Sequence, residues 1–192
     1  MVLDIGLDCR EISSDQLRLF LGNFISPNLM GKHYLTSLFS PKSVAVFGAS
    51  DRSESVGGIV YQNLIAGFHG PVYGINPRRP VIGEKPMFAS IEEVTQPVDL
   101  AVITAPLPAI AAIIESCGKQ GIKSAVVLSP GFREIRSKNT SLQRVIIQTA
   151  KQYGVRLLGP NCFGIMRPEI GLNATFYRGG GASRPAGLGF SV

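Results

Sequence analysis

The chain has 192 residues, 45% hydrophobic and 17% charged, a balance that supports one domain with a proper core and excludes a disordered chain. Its formal charge of +6 comes from scattered Lys and Arg, with no basic run interleaved with aromatics. That pattern excludes nucleic acid as the expected partner and favours a polyanionic small ligand.

No stretch is apolar for the length of a membrane span, and the opening "MVLDIGLDCRE" lacks the basic-then-apolar order of a signal peptide. Three cysteines, Cys9, Cys117 and Cys162, cannot all pair and lack metal-ligand spacing. A reducing, cytoplasmic setting is therefore expected.

Residues 1–31 read as an N-terminal extension. Leu17, Phe20, Leu21 and Phe24 share one helical face after a Ser14 or Asp15 cap, and Pro27 ends the pattern. From there the chain alternates short apolar runs with longer amphipathic stretches. "SVAVFG" (Ser43–Gly48) predicts a buried strand and "GGIVYQNLIAGF" a helix, with Ile59, Val60, Asn63 and Leu64 at helical spacing. "GPVYGINP" (Gly70–Pro77) predicts a second strand stopped by Asn-Pro.

Ser90-Ile-Glu-Glu93 has capping-box spacing and predicts a short helix. "DLAVITAP" (Asp99–Pro106) is the third strand, and Pro108 opens the helix "PAIAAIIESCGKQG" where its missing N–H costs nothing. "SAVVLSPGF" (Ser124–Phe132) is the fourth strand, "TSLQRVIIQTAKQYG" a helix closed by Gly154, and "VRLLGPN" (Val155–Asn161) the fifth strand. Residues 178–192 read as a Gly-rich linker followed by the start of a further strand, "LGFSV".

Five near-continuous apolar strands separated by helices predict a parallel sheet covered on both faces, a Rossmann-like, doubly wound α/β domain over residues 32–177. Such folds bind ligands at the carboxyl ends of their strands.

The loop "GASDRSESVGG" (Gly48–Gly58) joins the first strand to the first helix. Gly48 permits a tight turn, the helix N-terminus favours an anion, Ser50 and Ser53 offer hydroxyl donors, and Arg52 adds charge. Ser50 and Ser53 stand where the dinucleotide fingerprint would have its second and third glycines. The second strand ends "GINPRRP", without the acid that holds the ribose hydroxyls in an NAD site. Arg78 and Arg79 there point to an extra phosphate on the ribose. That leaves NADP, or an adenosine carrying a 3′-phosphate such as coenzyme A (CoA).

Taken in order, "SVAVFGAS…SVGG", "GPVYGINP", "DLAVITAP", "GIKSAVVLSPGF", "RLLGPNCFGI" and "GLNATF" resemble the CoA-binding domain of NDP-forming acyl-CoA synthetases, which include the succinyl-CoA synthetase α subunit. The version nearest in pattern opens bacterial fusions that also carry a GNAT-type protein lysine acetyltransferase. The match runs from about Lys32 to Phe176, and "MGKHYLTSLFSPKS" from Met30 looks like a family start.

This resemblance implies that CoA or acyl-CoA is the ligand. It implies that Gly48, Ala49, Ser50, Asp51, Arg52 and Ser53 hold CoA phosphates, and that Asn76, Pro77 and Arg78 lie beside the nucleotide. It places Ile103, Thr104, Ala105 and Pro106 along the pantetheine or adenine path. Pro130, Gly131, Asn161 and Cys162 would border the place where the thiol end reaches the chemistry. The family often reads Gly-Phe-Gly-Glu after the fourth strand, whereas this chain has Arg133 at the third position.

The family's phosphohistidine lies in a following domain, so a partner domain or subunit carrying the phosphohistidine and nucleotide-grasp chemistry is implied. Within the chain, His33 precedes the sheet and His69 sits in a turn, neither at the carboxyl end of a strand. Cys162 has no His placed to lower its pKa and reads as a small hydrophobe. No metal-ligand group is recognisable. The expected function is therefore CoA binding without catalysis by this chain alone. The alternatives are an NADP- or NAD-binding oxidoreductase or redox sensor, and a free-standing CoA-binding protein.

Overall fold

A computed structural model of the chain describes residues 35–129, 139–160 and 162–178. All of them belong to the compact unit Tyr34–Val192. The expected N-terminal helix, the boundary near residue 31 and the "LGFSV" strand lie outside the described residues.

After the short helix α1 (Thr36–Phe39), the chain forms β1 (Val44–Phe47), α2 (Val56–Gly67) and β2 (Val72–Ile75). A small hairpin, β3 (Val81–Ile82) and β4 (Lys85–Pro86), leads to a 3-10 turn at Ile91–Glu93 and then β5 (Leu100–Ile103). A second 3-10 turn (Leu107–Ala109) runs into α3 (Ile110–Lys119), followed by β6 (Ser124–Val127), α4 (Asn139–Tyr153) and β7 (Arg156–Leu158). A second hairpin, β8 (Gly164–Arg167) and β9 (Leu172–Thr175), closes the described part.

The five expected strands form one sheet in the order β2-β1-β5-β6-β7, and every pair is parallel. Val44 of β1 is in register with Val72 of β2 on one side and Leu100 of β5 on the other. The winding reverses between β1 and β5, which makes the crevice beyond their carboxyl ends the expected ligand site.

Alternation along each strand sends side chains to two cores. Ala45, Phe47, Ala101, Ile103, Ala125 and Val127 pack against Ile110, Ile114 and Cys117 of α3 and against Ile146 and Ala150 of α4. Val44, Val46, Leu100, Val102 and Val126 face the other way, toward Val60, Tyr61 and Leu64 of α2. Burial on both faces is why the strands read as unbroken apolar runs rather than as alternating patterns.

The structure departs from the sequence reading in two places. The Ser90–Glu93 capping box does not form: Ser90 makes no side-chain cap, only one 3-10 turn follows, and Glu93 Oε2 instead accepts from the Ala89 N–H at 2.9 Å. The two hairpins were not anticipated. β8 and β9 complete the second face, with Ile165, Leu172 and Ala174 joining the cluster beneath α2. The Ile103 side chain is fully buried in the core on the α3 side of the sheet.

Among the described residues, no helix is long and apolar enough to cross a membrane. No group of three or more His, Cys, Asp or Glu there is placed to hold a metal ion.

Candidate functional site

The carboxyl ends of β1, β2 and β5 are tied together by hydrogen bonds before any ligand is considered. Gly48 donates its N–H to Ile75 O at 2.9 Å, linking the ends of β1 and β2. Thr104 donates both its N–H and its hydroxyl to Phe47 O, at 2.9 and 2.8 Å. Gly48 has φ +86°, and a Cβ there would stand 2.8 Å from Thr104 Oγ1, so the turn demands glycine. The loop then folds back on the start of α2, where a Cβ on Gly57 would lie 2.0 Å from Gly48 O. Sequence and site are linked at this contact: glycine at 57 lets the helix N-terminus pack directly on the strand end.

Ser55 caps α2. Its Oγ accepts from the Gly58 N–H at 3.0 Å and donates to Arg52 O at 2.8 Å, so one hydroxyl fixes both the helix and the loop. Ser55→Ala is expected to cost about 1 kcal/mol of stability, as typical for loss of an N-cap, measured by urea unfolding. An unchanged unfolding midpoint would show that the loop holds the helix without its cap.

Asn76 bridges the first loop to the turn after β2. Its Nδ2 donates to Ala49 O at 2.7 Å, and its Oδ1 accepts from the Arg78 N–H at 2.9 Å. Asn76 thus fixes the backbone of the turn at Arg78 against the first loop. Arg79 is committed elsewhere, in an ion pair with Asp51 at 2.6 Å. On the far side of the loop, Arg178 pairs with Glu54, and its hydrogen bond and charge hold the Glu54 carboxyl below its usual range.

Two adjoining depressions result. An apolar cleft of about 590 Å³ is walled by Ile75, Pro77, Pro106, Pro108, Ala109 and Ala112, with Glu92 and Ser116 among its polar lining. A groove of about 530 Å³ runs along the first loop, lined by Ser50, Arg52, Ser55, Val56, Gly57, Arg79 and Thr104, with Glu54, paired to Arg178, also in its wall. Gly48, Asn76 and Arg78 border both.

Of the residues singled out in the sequence, the structure gathers Gly48, Ser50, Arg52, Asn76, Pro77, Arg78, Thr104, Ala105 and Pro106 around these depressions. Ala49 is buried, and Ser53 is exposed without lining either depression. Asp51 is taken up by Arg79 rather than free to meet an anion. Pro130, Gly131 and Asn161 lie outside the described residues.

Cys162 is half-buried beside the end of β6, packed on the cluster beneath α2, and its thiol donates to Val127 O at 3.7 Å. Burial pushes the Cys117 thiol up to about 12, so it stays protonated in the core. His69 is exposed, and its backbone N–H is bound to Ile170 O at 3.3 Å. Sequence reasoning missed Ser55, Glu92, Ser116 and Arg178. Only Ser55 left a readable signal, a serine three residues ahead of Gly58 at the start of an apolar helical run.

Residues 42–168 match the family model described as a CoA binding domain. The ADP-forming acetate–CoA ligase I of Archaeoglobus fulgidus is 41% identical over 141 residues, covering 73% of this chain and 20% of that protein. The α subunit of ADP-forming acetate–CoA ligase I from Pyrococcus furiosus is 38% identical over 147 residues, covering 74% of this chain and 32% of the subunit. Among solved structures, the dinucleotide forming acetyl-coenzyme A synthetase 1 of Ca. Korarchaeum cryptofilum, in complex with phosphate and ADP, superposes with a TM-score of 0.68 at 39% identity. That match covers 74% of this chain and 30% of the other. The chain therefore spans a fifth to a third of the length of these relatives, and within that span it belongs to the CoA-binding domain family of ADP-forming acyl-CoA synthetases.

Proposed function

We propose that residues 35–178 bind CoA across the two depressions and that the chain contributes the CoA site of an ADP-forming acyl-CoA synthetase. The observation that carries this reading is the junction at Arg78, where an apolar cleft meets an arginine-bearing groove at the point where the sheet reverses its winding. A flat purine suits the cleft between Pro77, Pro106 and Ala109. The pyrophosphate suits the groove, where Arg52, Ser50 and the N-terminus of α2 supply charge and donors. Arg78, on the border, suits the 3′-phosphate of the ribose. The pantetheine arm then runs past Thr104 toward the end of β6 and Cys162.

The turn after β2, Asn76-Pro77-Arg78-Arg79, carries no acid of its own, which argues against a ribose clamped there through its hydroxyls as in an NAD site. The compared relatives are ligases and a synthetase, which favours ligase chemistry over the acetyltransferase reading. The acyl acid, the phosphohistidine and the ADP chemistry are assigned to the remainder of such an enzyme, as a fused domain or a partner subunit, with acyl-CoA as the product leaving this site. Isothermal titration with CoA, dephospho-CoA, NADP and NAD tests the reading. CoA is expected to bind most tightly, and tighter binding of NADP than of CoA would overturn it.

A further inference from the structure

The apolar cleft holds one fixed negative group that none of the phosphates of CoA can use. Glu92 sits in the 3-10 turn that precedes β5 and lines the apolar cleft, but not the groove along the first loop. Its own backbone N–H and the hydroxyls of Ser116 on α3 and Ser90 hold its carboxyl below the usual carboxylate range, so the group facing the cleft is charged. Ser90 and Ser116 line the same cleft beside it, one just ahead of the 3-10 turn and the other on α3. The neighbouring walls, Pro77, Pro106, Ala109 and Ala112, offer no side-chain hydrogen-bond donor.

A carboxylate is an acceptor only. Beside a ligand that fills an apolar cleft it loses water, and that loss is offset only if the ligand presents a donor, which on a purine face is an N–H. Arg78 borders the same cleft from the turn after β2 and supplies the positive end. The cleft thus asks for a flat apolar body with a donor toward Glu92 and an anion toward Arg78. Adenosine 3′-phosphate meets that description: its 6-amino group carries two donors, and the ribose phosphate supplies the anion.

We propose that Glu92 reads the base, its carboxylate accepting a hydrogen bond from the 6-amino group of the adenine. This deepens the CoA reading and rests on it. Glu92 is then a specificity-determining residue, whereas Ser116 and Ser90 are positioning residues that act through it.

The experiment compares CoA with the analogue whose adenine is replaced by purine, lacking only the 6-amino group, by titration into the full chain. The wild-type protein is expected to bind CoA roughly tenfold or more tightly than the analogue, the worth of one hydrogen bond to a charged acceptor. Glu92→Ala is expected to bind the two about equally, and Glu92→Gln, which keeps an acceptor oxygen, to recover part of the preference. A thermal scan of each variant checks that the fold is retained, a modest demand because Glu92 is exposed. A preference that persists in Glu92→Ala overturns the proposal, as does a wild-type protein that binds both ligands equally. In those two cases the CoA reading survives, whereas failure of the wild-type chain to bind CoA at all overturns both.

Discussion

Gly57→Ala is expected to destabilise the domain by about 3 kcal/mol, the upper part of the usual range for forcing atoms into a packed site. In a chain of this size that lowers Tm by roughly 6–12 °C. The cause is one methyl group with nowhere to go. A Cβ on Gly57 would lie 2.0 Å from Gly48 O and 2.9 Å from Thr104 Oγ1. Neither neighbour yields easily: Gly48 is pinned by its N–H bond to Ile75 O, and Thr104 by two bonds to Phe47 O. Relief therefore requires the start of α2 to move away from the end of β1. That movement widens the groove in which Arg52, Ser50 and the helix N-terminus would grip the pyrophosphate, so CoA affinity is expected to fall together with Tm. Differential scanning calorimetry and CoA titration of the same sample check both halves. A Tm within about 2 °C of wild type would mean that α2 is not packed on the strand end as described.

The fold was legible because β1, β5 and β6 lie between two layers and carry apolar residues on both faces. The hairpin of β8 and β9 was not, since Met166 and Arg167 interrupt a strand of four residues and Pro168 and Glu169 look like surface loop. For the site, strand ends were readable. Gly48, Asn76 and Thr104 mark where β1, β2 and β5 stop, and topology alone places such positions along one edge. What lay hidden was pairing across the chain. Asp51 and Arg79 are 28 residues apart and meet only because β1 and β2 are neighbours. The same fact occupies the Asp51 carboxylate. Glu92 was hidden for a similar reason, since a 3-10 turn and a serine on α3 must come together before its carboxylate faces a cleft.

That pairing also separates two arginines that look alike in sequence, and it sets the other large effect. Arg78→Ala is expected to weaken CoA binding by roughly tenfold to a hundredfold, the usual loss when a charge-assisted hydrogen bond to phosphate is removed. Dephospho-CoA, which lacks the 3′-phosphate, is expected to lose less than about twofold by the same scale of energies. Arg79→Ala is expected to act more weakly, because that guanidinium already spends its charge on Asp51 at 2.6 Å. Its removal acts mainly by leaving the Asp51 carboxylate unpaired at the mouth of the loop, a repulsion felt by CoA and dephospho-CoA alike. Four titrations, two variants against two ligands, therefore distinguish a direct contact from a background field. Added salt should weaken wild-type binding of CoA more than that of Arg78→Ala, since screening acts on the charge the variant lacks. If Arg78→Ala weakened both ligands equally, Arg78 would belong to the pyrophosphate. The 3′-phosphate would then have to be held by another cation, with Arg79 the nearest in the chain.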